Sequence, residues 1–212
     1  MEQHTLVFNN TTLLREGVQL VGGLHMSLNS GDLLMVQGAN GSGKSTLLKA
    51  MAGLFPLAEG SIDWNGKPVA QSEHYPNNVL YLGHKRGLRL SMSVLDNVKF
   101  WAQMRKTPEL VEAALHYFDL EAVASAPCHT LSAGWQQRVA LTRLLTMPSS
   151  LWLLDEPVAN LDEEATSLLH SLIMSRIEQK GIVVMTTHAE VQGDKHKTLD
   201  LNAVGGGAGW VH

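Results

Sequence analysis

The chain has 212 residues, of which 44% are hydrophobic and 17% are charged, a composition typical of one folded globular domain and not of a disordered or fibrous protein. Its formal net charge of −4 provides no overall basic surface, so we expect no binding to nucleic acid. Cys128 is the only cysteine, which excludes an intrachain disulfide and suits a reducing compartment.

The apolar stretches of the sequence are short. The longest, such as 33–36 and 151–154, are far shorter than the roughly 20 residues that a membrane-spanning helix needs. The N-terminus lacks a basic segment followed by an apolar run, so we expect no secretory signal.

The first part of the chain alternates short apolar runs with turns. The run 32–37 has the length of a buried strand, and the periodic segment 45–52, which follows a glycine-rich loop, predicts a helix that Gly53 ends. Asn65-Gly66 favours a tight hairpin turn, because both residues tolerate positive φ. Four further runs predict strands, the first three of them as an antiparallel edge: 5–8, 18–21, 25–28 and 61–64.

Between about residues 85 and 145 the pattern becomes helical. Ser93 with Asp96 resembles a capping box, and Thr107-Pro108 offers an N-cap followed by proline at the first helical position. This part of the chain is predicted to form a helical lobe.

Alternation of strand and helix returns in the last third of the sequence. Runs at 151–154 and 182–187 predict strands on either side of a helix at 162–179, which Gly181 closes. Such alternation implies a parallel sheet covered on both faces. The glycine-rich end, 205–212, has no strand before it and no helix after it, so we interpret it as a flexible tail and not as a dinucleotide loop.

The segment Gly38–Ser45 satisfies the pattern G-x-x-x-x-G-K-[ST] between a predicted strand and a predicted helix, which is the context that a phosphate-binding loop requires. Glycines let backbone N–H groups converge on phosphate oxygens, Lys44 neutralises the β- and γ-phosphates, and the Ser45 hydroxyl is a ligand for Mg²⁺. We therefore expect a nucleoside triphosphate with Mg²⁺. The predicted nucleotide-binding residues here are Gly38, Ala39, Asn40, Gly41, Ser42, Gly43, Lys44, Ser45 and Thr46.

Two adjacent acids follow the apolar strand 151–154, where side chains at the carboxyl end of a parallel strand face the ligand crevice. Asp155 is predicted to hold Mg²⁺, and Glu156 to act as general base on the attacking water. His188 follows the next strand and is predicted to donate a hydrogen bond to the γ-phosphate. We assign catalytic roles to Lys44, Glu156 and His188.

The segment Leu131–Arg138 has the sequence Leu-Ser-Ala-Gly-Trp-Gln-Gln-Arg, directly ahead of a predicted helix. It resembles the signature of the ABC transporter ATPases, and the order of 38–45, 151–156, 159–162 and His188 is similar to that family's. The resemblance covers nearly the whole chain. It implies an α/β P-loop NTPase, namely an ABC-type nucleotide-binding domain with a RecA-like core, a small antiparallel β edge and a helical lobe.

This resemblance also implies the domain limits and the assembly. Residues 1–212 form a single domain, with the core at about 1–84 and 146–204, the helical lobe at about 85–145 and the tail at about 205–212. The family pairs two such subunits head to tail as a homodimer, so that each signature closes over ATP held by the partner's phosphate loop.

Family contacts carry over to particular residues of the signature and of the segment 159–162. Ser132 and Gly134 are then predicted to touch the γ-phosphate of the partner's ATP, and Asp162 to join the nucleotide site. Ser132 can also cap its own helix, and both roles are compatible. Ala133 and Trp135 depart from the usual glycine and glutamine, which leaves the shape of this contact open.

Two further positions depart from the family pattern. His84 stands where the family has a glutamine that senses Mg²⁺ and the γ-phosphate, and imidazole is a poor ligand for Mg²⁺ but can bond to phosphate. Arg15 stands about where an aromatic residue stacks on adenine, and a guanidinium can also stack on a base.

Within the family, the Gly83-His84 pair, the signature and the segment 151–157 are most similar to the haem exporter ATPases of cytochrome c biogenesis. That resemblance implies integral-membrane permease subunits as partners, a peripheral position on the cytoplasmic face of the inner membrane, and contact with haem only through the complex. The basic loop after His84 is then either the surface that faces the permease or an ordinary exposed loop. Alternatives are the ATPase of another small exporter or importer, or a soluble ABC ATPase of cofactor assembly.

Overall fold

The computed structural model describes residues 3–187 and 196–204. They divide into two units: the first holds the described residues up to Gly83, the stretch Ser149–Glu156 and the described residues from Ser175 onward. The second unit holds His84–Pro148 and Pro157–Met174. Across these described ranges, no helix has both the length and the apolar character to cross a membrane. His188 and the predicted tail at 205–212 lie outside the described residues.

The regular elements are numbered here in chain order. The strands are β1 (Thr5–Arg15), β2 (Val18–Asn29), β3 (Leu33–Gln37), β4 (Glu59–Trp64), β5 (Lys67–Pro68), β6 (Val79–Leu82), β7 (Leu151–Leu154), β8 (Ile182–Thr186) and β9 (Lys197–Asp200). The helices are α1 (Lys44–Met51), α2 (Tyr75–Asn78), α3 (Val94–Arg105), α4 (Val111–Tyr117), α5 (Ala133–Leu141), α6 (Arg143–Thr146), α7 (Glu163–Glu178) and α8 (Leu201–Val204). Short 3-10 helices cover Val69–Gln71, Pro108–Leu110, Glu121–Val123 and Cys128–Thr130.

The first unit begins with an antiparallel sheet of order β2-β1-β4-β5. The predicted antiparallel edge is confirmed, but the prediction of three short strands was wrong, because the runs belong to two long strands. The register of β1 against β2 shifts between Phe8 and Thr11 and again between Thr11 and Leu13, and Asn10 has a φ of +48°. Such bulges break the period-2 alternation that marks a strand in a sequence.

The hairpin between β4 and β5 turns at Asn65-Gly66, as predicted. Both residues have positive φ, +51° and +78°, and the strands pair in register with Trp64 opposite Lys67. The Asn65 side chain also accepts a hydrogen bond of 2.8 Å from the Thr5 backbone N–H, which ties the turn to β1.

A parallel sheet of order β6-β7-β8-β3-β9 completes the first unit. β7 and β8 are buried along their entire length, as apolar runs predict for the middle of such a sheet. Leu154 at the end of β7 lies opposite Met185 of β8, so the residues that follow β7 and the last residue of β8 meet at one edge. The apolar core between this sheet, α1 and the antiparallel sheet includes Phe8, Leu28, Leu34, Val36, Leu47, Met51, Leu153 and Val184.

The second unit is helical, as the sequence between 85 and 145 indicates. Ser93 caps α3 as predicted, since its Oγ accepts the Asp96 backbone N–H at 3.1 Å, and it donates to the Asp96 carboxylate at 2.7 Å. Thr107 precedes the helical turn Pro108–Leu110 at the predicted place, but its hydroxyl makes no cap and instead donates to the carbonyl of Thr146 at 2.7 Å.

The end of α7 differs in one detail from the sequence prediction. Lys180, and not Gly181, takes the left-handed conformation, with a φ of +65°. The Gly181 N–H donates to the Arg176 carbonyl at 2.9 Å, and a Cβ at Gly181 would come within 2.3 Å of the Arg176 side chain. A side chain at 181 would therefore have to displace the Arg176 side chain, whose guanidinium donates to the Ser149 carbonyl.

Candidate active site

The loop between β3 and α1 is shaped by two glycines. Gly43, the N-cap of α1, has a φ of +101°, and a Cβ there would lie 2.9 Å from the Leu20 side chain. Gly38 has a φ of +148°, and a Cβ there would lie 2.5 Å from the Ser42 hydroxyl. Both positions therefore need glycine, because of the positive φ and because a Cβ would meet a neighbouring side chain.

Lys44, the first residue of α1, is buried and turned back over the loop. Its Nζ donates to the carbonyls of Gly38 at 2.7 Å and Ala39 at 3.0 Å. The outer side of the loop is fixed by α8, where the Asn202 side chain accepts the Ala39 N–H at 3.1 Å. The ammonium group thus lies at the helix N-terminus, where anions are favoured.

An open cavity of about 230 Å³ lies over this loop in the first unit and is here called the nucleotide cleft. Most of the predicted phosphate-binding residues line it, together with Glu156, which the sequence predicted to act on the same nucleotide. It also contains Arg15, whose guanidinium is exposed and lies 4.0 Å from the Glu16 carboxylate. The residues lining the nucleotide cleft are Arg15, Leu20, Asn40, Gly41, Gly43, Lys44, Ser45, Thr46 and Glu156.

The two acids follow β7 at the edge of the parallel sheet. Asp155 is 6% exposed, and its backbone N–H donates to the Leu82 carbonyl of β6 at 2.8 Å. Its Oδ1 accepts the Thr186 hydroxyl at 3.0 Å, whereas Oδ2 is buried without a hydrogen-bond partner among the residues described. Glu156 has a φ of +52°, in the left-handed region that costs a non-glycine residue about 1–3 kcal/mol.

Tyr81, on the neighbouring strand β6, lies beside these acids. Burial, and then the charge of the Asp155 carboxylate, raise the pKa of Tyr81 to about 12. Ionisation of the phenol is therefore disfavoured next to the Asp155 carboxylate.

The signature segment lies in the second unit, at the start of α5. Ser132 is the N-cap of α5, and its Oγ accepts the Trp135 N–H at 3.3 Å. A Cβ on Gly134 would lie 2.6 Å from the Asn160 carbonyl, so glycine at 134 allows the signature to pass close to the segment 159–162. Trp135 continues the helix, and its ring lies 5.3 Å from the Arg138 guanidinium.

Arg138 joins this segment to the beginning of α7. Its buried guanidinium donates to Asp162 at 2.8 Å, to Asp119 at 3.2 Å and to Glu164 at 3.3 Å. Burial opposes the charged form of Arg138, but the hydrogen bonds to Asp162 and Glu164 outweigh it and raise the pKa of the guanidinium. The signature helix and the start of α7 are thus held together by one arginine.

The side chain of Asp162 is held by two hydrogen-bond donors, one from the backbone of α7 and one from Arg138. Its Oδ1 accepts the Ala165 N–H at 2.8 Å, and its carboxylate accepts the Arg138 guanidinium. The Ala165 N–H and then Arg138 lower the pKa of Asp162. Its predicted contact with nucleotide stays a prediction, as does that of the exposed His84 in the second unit.

Sequence reasoning missed three residues, two beside the acids of the first unit and one in the signature helix of the second unit. Thr186 bridges the two acids, Tyr81 borders Asp155, and Arg138 links the signature to α7. Of these three, Thr186 could have been noticed in the sequence, because it is the polar residue of a strand that is otherwise entirely apolar.

Comparison with known proteins places this geometry in a family context. The family model described as ABC transporter matches residues 21–159. The chain is 42% identical over 183 residues to the cytochrome c biogenesis ATP-binding export protein CcmA 2 of Cupriavidus metallidurans, covering 84% of this chain and 86% of that protein. It is 38% identical over 212 residues to CcmA of Paramagnetospirillum magneticum, covering 96% of this chain and 98% of that protein.

Solved structures share the fold. A dimeric ATP-binding cassette in a post-hydrolysis state, bound to ADP and Pi, superposes with a TM-score of 0.77 at 22% identity, covering 87% of this chain and 88% of that chain. At that identity the likeness establishes the ABC ATPase fold, in agreement with the predicted P-loop architecture.

Proposed function

The chain belongs to the ABC transporter family and, within it, to the CcmA group of cytochrome c biogenesis ATP-binding export proteins, and from this premise we propose that it is the ATP-hydrolysing subunit of a haem export complex. The observation that carries the proposal is the nucleotide cleft, where the loop that follows β3 and the acid Glu156 that follows β7 line one cavity. ABC ATPases bind and hydrolyse ATP, and this cleft supplies the groups that such chemistry needs.

Binding of the triphosphate falls to the loop 38–45. Backbone N–H groups at the start of α1 and the ammonium of Lys44 stabilise the negative charge on the phosphates, which increases on the oxygens as the terminal phosphoryl group is transferred. In the structure Lys44 donates to two carbonyls of its own loop. Bound phosphate would give the ammonium an acceptor of full negative charge.

Mg²⁺ suits the residues at the end of β7. Asp155 has a buried carboxylate oxygen with no hydrogen-bond partner in the described part of the chain, and an oxygen ligand is what Mg²⁺ prefers. Asp155 and the Ser45 hydroxyl would hold the ion, which neutralises charge on the phosphates when bound. Glu156, in the nucleotide cleft, would take a proton from the attacking water. His188 is proposed to hydrogen-bond the γ-phosphate.

A second copy of the chain is proposed to complete each site. The positive N-terminus of α5, with the Ser132 hydroxyl and the Gly134 N–H, offers donors of the kind that a γ-phosphate accepts. The dimeric form of the similar solved structure supports this arrangement. Asp162 would act at the same interface through the segment 159–162.

Export would require integral-membrane permease subunits, and the relatives named as ATP-binding export proteins support such a partnership. We propose that the subunit binds them from the cytoplasmic face of the inner membrane and meets haem only through that complex. The relatives named for cytochrome c biogenesis and export support this choice over another small transporter or a soluble assembly ATPase.

The proposal is tested by deleting the gene in the source organism and measuring covalently bound haem in c-type cytochromes. We expect these cytochromes to be lost and to return with the wild-type gene but not with Glu156→Gln. Membranes from the restored strain should yield the tagged subunit together with integral-membrane proteins. Normal c-type cytochromes in the deletion strain would show that haem export is the wrong assignment.

A further inference from the structure

Thr186, the last residue of β8, lies directly between the two acids of the site. Its side chain is fully buried and makes two hydrogen bonds of opposite sense. The hydroxyl donates to Asp155 Oδ1 at 3.0 Å and accepts the Glu156 backbone N–H at 2.8 Å. One hydroxyl thus connects the acid proposed for Mg²⁺ to the acid proposed for the water.

Each bond constrains a different feature of the site. The bond to Oδ1 fixes the rotation of the Asp155 carboxyl group and leaves Oδ2, buried and without a partner among the described residues, as the oxygen available to a cation. The bond from the Glu156 N–H supports a backbone with a φ of +52°, which a glutamate adopts only when its surroundings impose it.

An ordinary buried threonine in this fold behaves differently. Thr142 and Thr146 are also fully buried, and each hydroxyl donates to a backbone carbonyl one helical turn earlier. The other residues of β8 are isoleucine, valine and methionine, so packing alone would accept an apolar side chain at 186. The hydroxyl of Thr186 is distinguished by having both partners in the two acidic residues.

We propose that Thr186 is a positioning residue for ATP hydrolysis, which holds the Asp155 carboxylate and the Glu156 backbone in the orientation that the reaction uses. The inference rests on the proposed function and deepens it. Thr186 touches no reacting atom in this assignment and acts through the two acids.

The test compares Thr186→Val, which keeps the shape and removes the hydroxyl, with Thr186→Ser, which keeps the hydroxyl. We expect the Val variant to lose about 10- to 100-fold in kcat with little change in the KM for ATP, because a small misplacement of reacting groups has effects of that order. The Ser variant should retain most of the wild-type kcat.

Nucleotide binding gives a second readout that does not depend on turnover. ATP affinity in EDTA should be unchanged in Thr186→Val, because the loop 38–45 is intact. The gain in affinity on adding Mg²⁺ should be smaller than in the wild type, because the Asp155 carboxylate is no longer fixed. An equal gain would contradict the orientation of Asp155 by Thr186.

Thr146→Val is the matched control, since it removes a hydrogen bond from an equally buried threonine in α6. It should melt at a temperature similar to that of Thr186→Val and keep the wild-type kcat. A kcat in Thr186→Val equal to that of the wild type, an equal loss in Thr186→Ser, or an equal loss in Thr146→Val would each overturn the inference. Failure of the proposed function would be seen separately, as absence of ATP hydrolysis by the wild-type chain.

Discussion

Glu156 combines an acidic side chain with a backbone conformation that glutamate rarely takes. Its φ of +52° is supported by a hydrogen bond from the Glu156 backbone N–H to the Thr186 hydroxyl. Glu156 also lines the nucleotide cleft. Strain of this kind persists where the surrounding structure imposes it, and it is common at sites where a side chain must be aimed. The conformation agrees with a role for Glu156 in the reaction.

Replacing Glu156 with glutamine should separate binding from hydrolysis. The variant keeps the size and the N–H bond to Thr186 but cannot accept a proton, so we expect kcat to fall by about 10²- to 10⁴-fold while ATP binding is retained. Steady-state ATPase assays and ATP titrations measure both quantities. Glu163→Gln, which removes an exposed acid from the start of α7, is the control. Rapid turnover by Glu156→Gln would remove the residue from its assigned role.

Single residues of the site differ in how far a sequence reveals them. Asp155 and Glu156 were predictable because they end an apolar strand, and Lys44 because it belongs to a spaced motif. Thr186 was not, because its two partners lie 30 and 31 positions away and are reached only through the pairing of β7 with β8. Hydrogen bonds between neighbouring strands depend on register, and the apolar runs of β7 and β8 have no polar alternation from which the register could be predicted.

At the scale of elements, α5 and α7 are connected through one buried guanidinium. Arg138 of α5 bonds to Asp162, whose carboxylate also accepts the backbone N–H of Ala165 in the first turn of α7. The cap of one helix is therefore fixed by a side chain of the other. We expect the signature segment and the segment 159–162 to move together for this reason.

The charge of Asp162 should make this connection depend on pH. Its pKa is lowered in the folded protein, so the carboxylate stabilises the fold at pH values above its unfolded pKa, and that stabilisation is lost as the pH falls through the folded pKa. Asp162→Asn should therefore have a lower free energy of unfolding than the wild type at neutral pH. This difference in free energy should become smaller as the pH falls. Urea unfolding across this range measures it.

The control for Asp162→Asn is Glu163→Gln, because Glu163 lies in the same turn and makes no ion pair with Arg138. The difference in the free energy of unfolding between Glu163→Gln and the wild type should not become smaller in acid to a comparable extent. A gap between wild type and Asp162→Asn that stays constant with pH would contradict the connection through the ionised carboxylate.

Elements were most predictable where a single pattern decides them. The predicted strand 151–154 coincides with β7, because an unbroken apolar run marks a buried strand. β1 and β2 were seen only in pieces, because their bulges interrupt the alternation. The sequence predicted that Gly181 ends α7, but Lys180 is the residue with the left-handed conformation. Gly181 instead leaves room for the Arg176 side chain, a packing contact that the local sequence does not reveal.

For the whole molecule, the phosphate loop and the signature belong to different units of the chain. The proposed reaction brings a loop from one subunit together with a signature from another, so a complete site would need two chains. This arrangement predicts that two inactive variants, one defective in the loop and the other in the signature, recover ATP hydrolysis when they form a mixed dimer.

Lys44→Ala and Ser132→Arg make suitable partners for that experiment. Each variant alone should be inactive, because both shared sites are damaged. A mixed dimer should contain one site with an intact loop and an intact signature, and mixing should therefore recover ATP hydrolysis. No recovery from mixed dimers whose formation has been verified would show that each chain works alone.

The central claim is that ATP is held by the loop 38–45. Calorimetric titration of ATP with Mg²⁺ into the wild-type chain and into Lys44→Ala tests it most directly. We predict one ATP bound per wild-type chain and an affinity at least about tenfold lower in the variant, because the lysine neutralises the β- and γ-phosphates. Equal affinity in the two proteins, or no binding by the wild type, would contradict the claim.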